Sequence, residues 1–242
     1  MSNLNLIKIV LCDTSHTGNI GSAARAIKTM GMSNMILVSP KTLPDDHSIA
    51  LASNAQDIVE NALILDNLDA AIYDSTLAIA MTSRKREFNQ RLLTPKEIVA
   101  EILVAIAQQQ KVSLVFGSER TGLTTNQLEK CNRLVTIPGN PEYFSLNLAQ
   151  AIQIMCYEIY SNYNPSLTHM QNITHPANIG SNQRIVQYLN TIPHQIGYYK
   201  NKNEELTLRR INNIFHKADL TNEEVDLLNG MLKKIEKSIH HT

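Results

Sequence analysis

Two loops in this 242-residue chain carry the residue types that hold a small polar ligand. Phe116-Gly117-Ser118-Glu119-Arg120-Thr121-Gly122-Leu123 follows the apolar run at Leu114, and Asn140-Pro141-Glu142-Tyr143-Phe144-Ser145 follows Ile137-Pro138-Gly139. Each leaves the end of a strand-like run, which is where an open α/β sheet takes its ligand, so one shared site is the economical reading. A third polar stretch, Gly18-Asn19-Ile20-Gly21, turns the chain from its first strand into a helix that carries Arg25. The familiar phosphate signatures are missing. Gly18-x-x-Gly21 is not the GxGxxG dinucleotide fingerprint, and no GxxxxGK[ST] is present. The expected ligand is nucleotide-like, bound without a P-loop.

The elements that must position these loops follow from patterning. Leu6 to Leu11 reads as a strand from its β-branched content, and the helix after it bears Ile20, Ala23, Ala24, Ile27 and Met30 at helical spacing. Gly31 stops that helix, Met35 to Val38 gives a second strand, and Pro40 ends it. A helix around Ile49 to Val59, a short strand at Ala62 to Leu65, a helical turn near Leu68 and a strand from Leu77 to Met81 follow. Thr94-Pro95-Lys96-Glu97 is a capping box with proline at the first helical position, and Thr124 with Gln127 repeats the device. A last helix beginning near Asn147 lines one face with Leu148, Ala151, Ile152, Met155 and Ile159, which burial against a sheet explains. This alternation predicts an α/β domain with a mostly parallel sheet over residues 1–164. The Asn-, Ser-, Thr-, His- and Pro-rich stretch that follows predicts a linker at 165–181. Residues 182–242 read as a small all-α domain. Its helices are expected at Gln183 to Asn190, at Glu204 to His216 and after the capping pair Thr221 and Glu224, the last with Val225, Leu228, Leu232, Ile235 and Ile239 on one face. An exposed apolar stripe there suggests docking on the first domain or on a partner subunit.

Composition narrows the class. No apolar run approaches the 18 or so residues that cross a bilayer, and the N-terminus lacks a signal-peptide pattern, so the expectation is a cytoplasmic protein without a membrane span. Cys12, Cys131 and Cys156 sit in or beside apolar segments in no zinc-binding or disulfide pattern; buried thiols and no structural metal are expected. With 22 basic and 22 acidic residues the net charge is zero, so any nucleic-acid surface must be a local patch. Arg84-Lys85-Arg86, with Arg91 nearby, is the dense basic cluster, open to reading as an RNA surface or as a solvated charge run. Arg209-Arg210 is a weaker one.

Taken in order, Asn19-Ile20-Gly21-Ser22-Ala23-Ala24-Arg25, Val115 to Leu123, and Ile137-Pro138 with Ser145-Leu146-Asn147-Leu148-Ala149 resemble the three motifs of the SpoU branch of the SPOUT methyltransferases. Asp13 to Asn19 and Asn140 to Tyr143 are similar to the TrmJ-type tRNA 2'-O-methyltransferases of that branch, and the resemblance covers the first domain and, loosely, the helical tail. It implies a trefoil knot at the C-terminal side of the sheet, S-adenosylmethionine as methyl donor, and a homodimer whose sites use both subunits. Knots are exceptions to ordinary chain topology, so no general rule predicts one.

The resemblance further implies that Thr82, Ser83, Arg84, Gly117, Ile137, Phe144, Ser145 and Leu146 contact the donor. Gly117 and Gly122 would let backbone approach a nucleoside, or serve simply as turn glycines. Ile137, Leu146 and Leu148 would wall the adenine, and amides near Phe144 and Ser145 would meet a carboxylate or base edge. Arg25 matches the arginine of the first motif. Because the sulfonium methyl is already electrophilic, positioning and charge stabilisation would carry the reaction without a metal. A guanidinium rarely gives up its proton, so the role expected for Arg25 is to bind the adjacent phosphate and stabilise the nascent 2'-oxyanion, with Asn19, Ser145 and Asn147 orienting the ribose. His16, Arg84, Lys85, Arg86, Glu119 and Arg120 are candidate RNA contacts, with a surface imidazole or a loop ion pair as the plainer alternatives. Ser118 stands where TrmJ-type relatives often have arginine, so a contact made there by that side chain is absent or replaced. The implied activity is 2'-O-methylation of pyrimidine 32 in the tRNA anticodon loop. The competing readings are the same chemistry on ribosomal RNA and an inactive RNA-binding protein on the same fold.

Overall fold

Strands that are apolar at nearly every position need cover on both faces, and a parallel sheet wrapped by helices supplies it. The computed structural model describes residues 2–83, 91–143, 145–164, 176–199 and 203–239. In chain order the first unit contains β1 (Ile7–Cys12), α1 (Thr17–Thr29), β2 (Asn34–Val38), α2 (Asp46–Ala52), α3 (Gln56–Glu60), β3 (Leu63–Leu65), α4 (Leu68–Ile72) and β4 (Ser75–Met81). It continues with β5 (Leu92–Leu93), α5 (Pro95–Ala107), β6 (Lys111–Phe116), α6 (Thr125–Glu129), β7 (Arg133–Val135) and α7 (Leu148–Asn162). The seven strands form one sheet in the order β3-β2-β1-β6-β4-β7-β5, and every pairing is parallel. At its centre Ile9 and Ile79 flank Leu114 in register, and all three are fully buried.

A parallel sheet puts the C-terminal ends of its strands at one edge, so the segments after β1, β4, β6 and β7 leave from the same side. The opposite edge is tied by charge: Asp74 pairs with Lys8 at 2.5 Å and with Lys111 at 2.7 Å, and the Lys8 ammonium also donates to Ala71 O. Burial lowers the Lys8 pKa, and its pairing with Asp74 opposes that.

The predicted caps form. Thr94 with Glu97 and Thr124 with Gln127 close capping boxes at α5 and α6. The structure adds another: Asn147, expected to orient a ribose, caps α7 by accepting from the amides of Ala149 and Gln150. Gly31, at φ +68°, follows the end of α1. Gly21 matters for packing rather than conformation. A Cβ there would lie 2.0 Å from the Ser48 carbonyl oxygen, so α1 and α2 approach to a distance that only glycine permits. Two edge features were not legible in the pattern: β5 is a two-residue strand, and β7 ends at Val135 instead of running on to Ile137. All three cysteines are buried and free, and burial pushes the Cys12 and Cys156 thiols up to about 12.

The second unit, Asn172–Thr242, holds α8 (Ile179–Gln195), α9 (Glu204–Ala218) and α10 (Asn222–Ile239) around Ala177, Ile185 and Val225. Thr221 and Glu224 make the expected cap contacts at the start of α10. Of the stretch expected as a linker, 165–175 lies outside the described residues, while Ile179 already opens α8. That helix also runs further than its polar C-terminal half suggested, with Pro193 in its last turn. No described helix is long and apolar enough to cross a membrane.

Candidate active site

The loops after β6 and β7 and the start of α7 enclose a cavity of about 350 Å³ at the C-terminal edge of the sheet. Its walls are made by Gly117 to Leu123 from one loop, by Ile137, Ser145 and Leu146 from the next, and by Leu148 and Ala151 of α7. Thr82 and Ser83, just beyond β4, close another side. Six of the eight residues expected around a donor are thereby placed: Thr82, Ser83, Gly117, Ile137, Ser145 and Leu146. The other two, Arg84 and Phe144, lie outside the described residues, as do Lys85 and Arg86. Met81, Phe116 and Leu123 also line the cavity. Phe116 and Leu123 bound the loop already singled out in the sequence, whereas Met81 is an ordinary apolar position that only the convergence of strand ends marks.

The β6 loop is closed on itself. Gly122 N donates to Ser118 O at 2.9 Å, the Ser118 and Thr121 hydroxyls lie 2.7 Å apart, and Ser118 and Gly122 pair as an antiparallel bridge. A Cβ at Gly117 would sit 2.1 to 2.5 Å from backbone atoms of Gly122 and Leu123, and Gly122 itself has φ +66°. The two glycines therefore serve the fold of their own loop: one permits the closure, the other makes the turn. Ser118, expected to leave an arginine's contact absent or replaced, spends its hydroxyl inside this turn.

Glu119 binds this loop to the first motif. Its Oε2 accepts from the Ser15 amide at 3.1 Å and from the Ser15 hydroxyl at 2.9 Å, and its Oε1 accepts from Asn19 Nδ2 at 2.9 Å. Asn19 Oδ1 in turn accepts from Asn147 Nδ2 at 3.1 Å, and Asn147 Oδ1 caps α7. One chain of hydrogen bonds thus runs from the β1 loop through the β6 loop and the start of α1 to the start of α7. Burial raises the Glu119 pKa, but the hydrogen bonds from Asn19, from its own backbone and from Ser15 outweigh that, and the carboxyl is held below the usual carboxylate range. A second lock lies beside it, where Gln127 Nε2 donates to Asp13 Oδ2 at 2.9 Å and Lys41 pairs with Asp13 at 3.2 Å. Nothing local in the sequence marks Ser15 and Gln127 as site residues, because their partners lie about a hundred positions away along the chain.

Asn19 and Asn147 are therefore brought together, and with Glu119 beside the cavity they form its brace. Ser145 is exposed at the cavity wall, and Arg120 is exposed at its rim. His16 caps nothing with its side chain and is exposed in a separate polar depression of about 530 Å³, shared with Asn19, Ser22, Asp45 and His47. Arg25 lies a turn and a half beyond Asn19 on α1, is exposed, and does not line the cavity of its own chain.

Comparison with known proteins agrees with this architecture. The SpoU rRNA Methylase family model matches residues 6–157, and the model of the tRNA methyltransferase TrmJ C-terminal domain matches residues 183–242. A Haemophilus influenzae protein named as an uncharacterized tRNA/rRNA methyltransferase is 38% identical over 248 residues, covering 99% of this chain and 98% of its own. A Sodalis glossinidius protein named tRNA (cytidine/uridine-2'-O-)-methyltransferase TrmJ is 39% identical over 237 residues, covering 96% of this chain and 92% of its own. The crystal structure of TrmJ from Z. mobilis ZM4 matches with a TM-score of 0.83 at 28% identity, over 95% of this chain and 98% of that one. The chain belongs to the SpoU methylase family, a family of RNA methyltransferases, and its α/β domain and helical tail together place it with the TrmJ-type members.

Proposed function

We propose that this chain methylates the ribose 2'-oxygen of the pyrimidine at position 32 in the tRNA anticodon loop, using S-adenosylmethionine. The carrying observation is the cavity that both motif loops build, braced by Glu119 to the helix that bears Arg25. Its volume falls in the lower part of the range for small-molecule sites, about 300–1,000 Å³. The residues fit such a donor: Ile137, Leu146 and Leu148 offer apolar walls to a purine, and the polar groups of Thr82, Ser83 and Ser145 offer partners to its ribose and amino-acid ends. When bound, the donor supplies an electrophilic sulfonium methyl. The full-length relatives named for cytidine/uridine 2'-O-methylation of tRNA support the substrate class.

For transfer, a ribose hydroxyl must be held against the cavity mouth and the charge developing on its oxygen must be met. Arg25 is the cation expected to do this, by binding the neighbouring phosphate and stabilising the oxyanion. Its position outside its own chain's cavity is accommodated if two copies pair and Arg25 of one serves the cavity of the other, so the working unit is a homodimer. The threading of the loops after β6 and β7 as a trefoil knot belongs to the same proposal. Ser145 orients the ribose, while Asn19 and Asn147 hold the loops that receive it.

Incubation of the protein with bulk tRNA and, in parallel, with ribosomal RNA, each with tritium-labelled S-adenosylmethionine and followed by nuclease mapping, tests the reading. Label in the 2'-O-methyl group of nucleotide 32 is the expected result. Label in ribosomal RNA alone would move the substrate to the ribosome, and no transfer to either RNA would overturn the enzymatic reading.

A further inference from the structure

Tyr143 is 80% exposed, more than any other large apolar or aromatic residue among those described. Its turn is not loose. Tyr143 N donates to Asn140 O at 3.0 Å, Glu142 N donates to Asn140 Oδ1 at 3.0 Å, Asn140 and Tyr143 pair as an antiparallel bridge, and Pro141 fixes the backbone between them. Among the described residues the ring stacks on no other aromatic ring. Ser145 and Leu146, two and three positions further on, form a wall of the cavity, and Leu146 is itself 42% exposed. A hydrogen-bonded turn therefore holds an exposed aromatic ring, stacked on no other described ring, next in sequence to the cavity wall.

An exposed ring gains free energy when something flat and apolar covers it, and bases of an unpaired RNA loop are such partners. We propose that Tyr143 is a nucleobase-stacking residue that takes the face of an unpaired pyrimidine in the substrate loop, an inference that rests on the RNA-methylation reading above. Stacking senses the ring face and is indifferent to the group at its edge, because every base presents a π-face. One tyrosine then serves cytidine and uridine alike, which a hydrogen-bonding partner at the N3 and C4 positions, where the two bases differ, would not do. Because the turn is preorganised, little ordering is needed when the base arrives.

The test uses the full chain with Tyr143→Ala and Tyr143→Phe, anticodon stem-loop RNAs carrying cytidine or uridine at the target position, and S-adenosylmethionine. Base–aromatic stacking predicts that Y143A lowers kcat/KM about ten- to a hundred-fold, through KM for RNA and equally for the two pyrimidines, while Y143F stays within about two-fold of the parent. Anisotropy of a labelled stem-loop should show the same loss without turnover, and calorimetric uptake of the donor should be unchanged. The stacking role is overturned if Y143A binds RNA with parental affinity, if Y143F fails as badly as Y143A, or if donor uptake falls in step. It is also overturned if Y143A dissociates the protein in sedimentation, which would make the ring a subunit contact. A parental protein that binds the stem-loop through Tyr143 but transfers no methyl would overturn the enzymatic reading and leave the stacking role standing.

Discussion

Glu119 is an acceptor on both oxygens, with Ser15 donating twice to one and Asn19 to the other. An amide cannot reproduce this. Glu119→Gln turns an NH₂ group toward at least one existing donor and removes the charge that strengthens the remaining bonds. We expect it to cost about 1–2 kcal/mol at neutral pH in denaturant unfolding. The pH profile gives an independent readout. Because the folded carboxyl titrates below the unfolded value of about 4.3, its contribution is complete above that pH and is lost as pH falls through the folded value. The parent should therefore lose stability on acidification below about pH 4 more steeply than the variant. Parallel acid profiles would show that Glu119 is not an ionised brace. Glu119 and Asn19 were both visible as motif residues, but their mutual contact was not, since nothing local in either segment points to a partner 100 positions away.

At the scale of elements, α1 carries both the brace residue Asn19 and the candidate cation Arg25, so its seating decides where both groups lie. That seating depends on Gly21, packed against the Ser48 carbonyl of α2. Gly21→Ala favours the helix by roughly 1 kcal/mol in intrinsic propensity, yet its methyl group meets backbone that cannot rotate aside. The overpacking outweighs the propensity, and a net destabilisation of about 1–3 kcal/mol is expected in thermal or denaturant unfolding. A stabilised variant would show that α1 and α2 are free to separate. The caps of α5, α6 and α10 were legible because a capping box is a four-residue device written in contiguous sequence. The strands β5 and β7 were poorly legible for the converse reason. Runs of two and three residues carry too little periodicity, and they hold their conformation only through partners across the sheet edge.

For the whole molecule, the decisive question is whether one chain completes the site. Arg25→Ala should abolish transfer while leaving donor affinity within a few-fold of the parent, and Leu146→Asp should abolish transfer by spoiling the donor wall. If the sites are shared between copies, mixing the two inactive proteins gives heterodimers with one intact site. Activity should then return to about a quarter of the parental value after random exchange. No recovery, with exchange verified by mass, would place Arg25 and the cavity in the service of the same chain. By itself the sequence determined the alternation of strands and helices, the parallel α/β class, the capped helix starts and the two loops where a ligand belongs, because periodicity, caps and turn residues act over a few neighbours. Tertiary structure alone decided that Gly117 yields its space to its own loop, that Glu119 ties Ser15 to Asn19, and that Arg25 is exposed and does not line the cavity of its own chain. Each of these depends on segments brought together across the sheet, and that closure is an outcome of packing which no local pattern encodes.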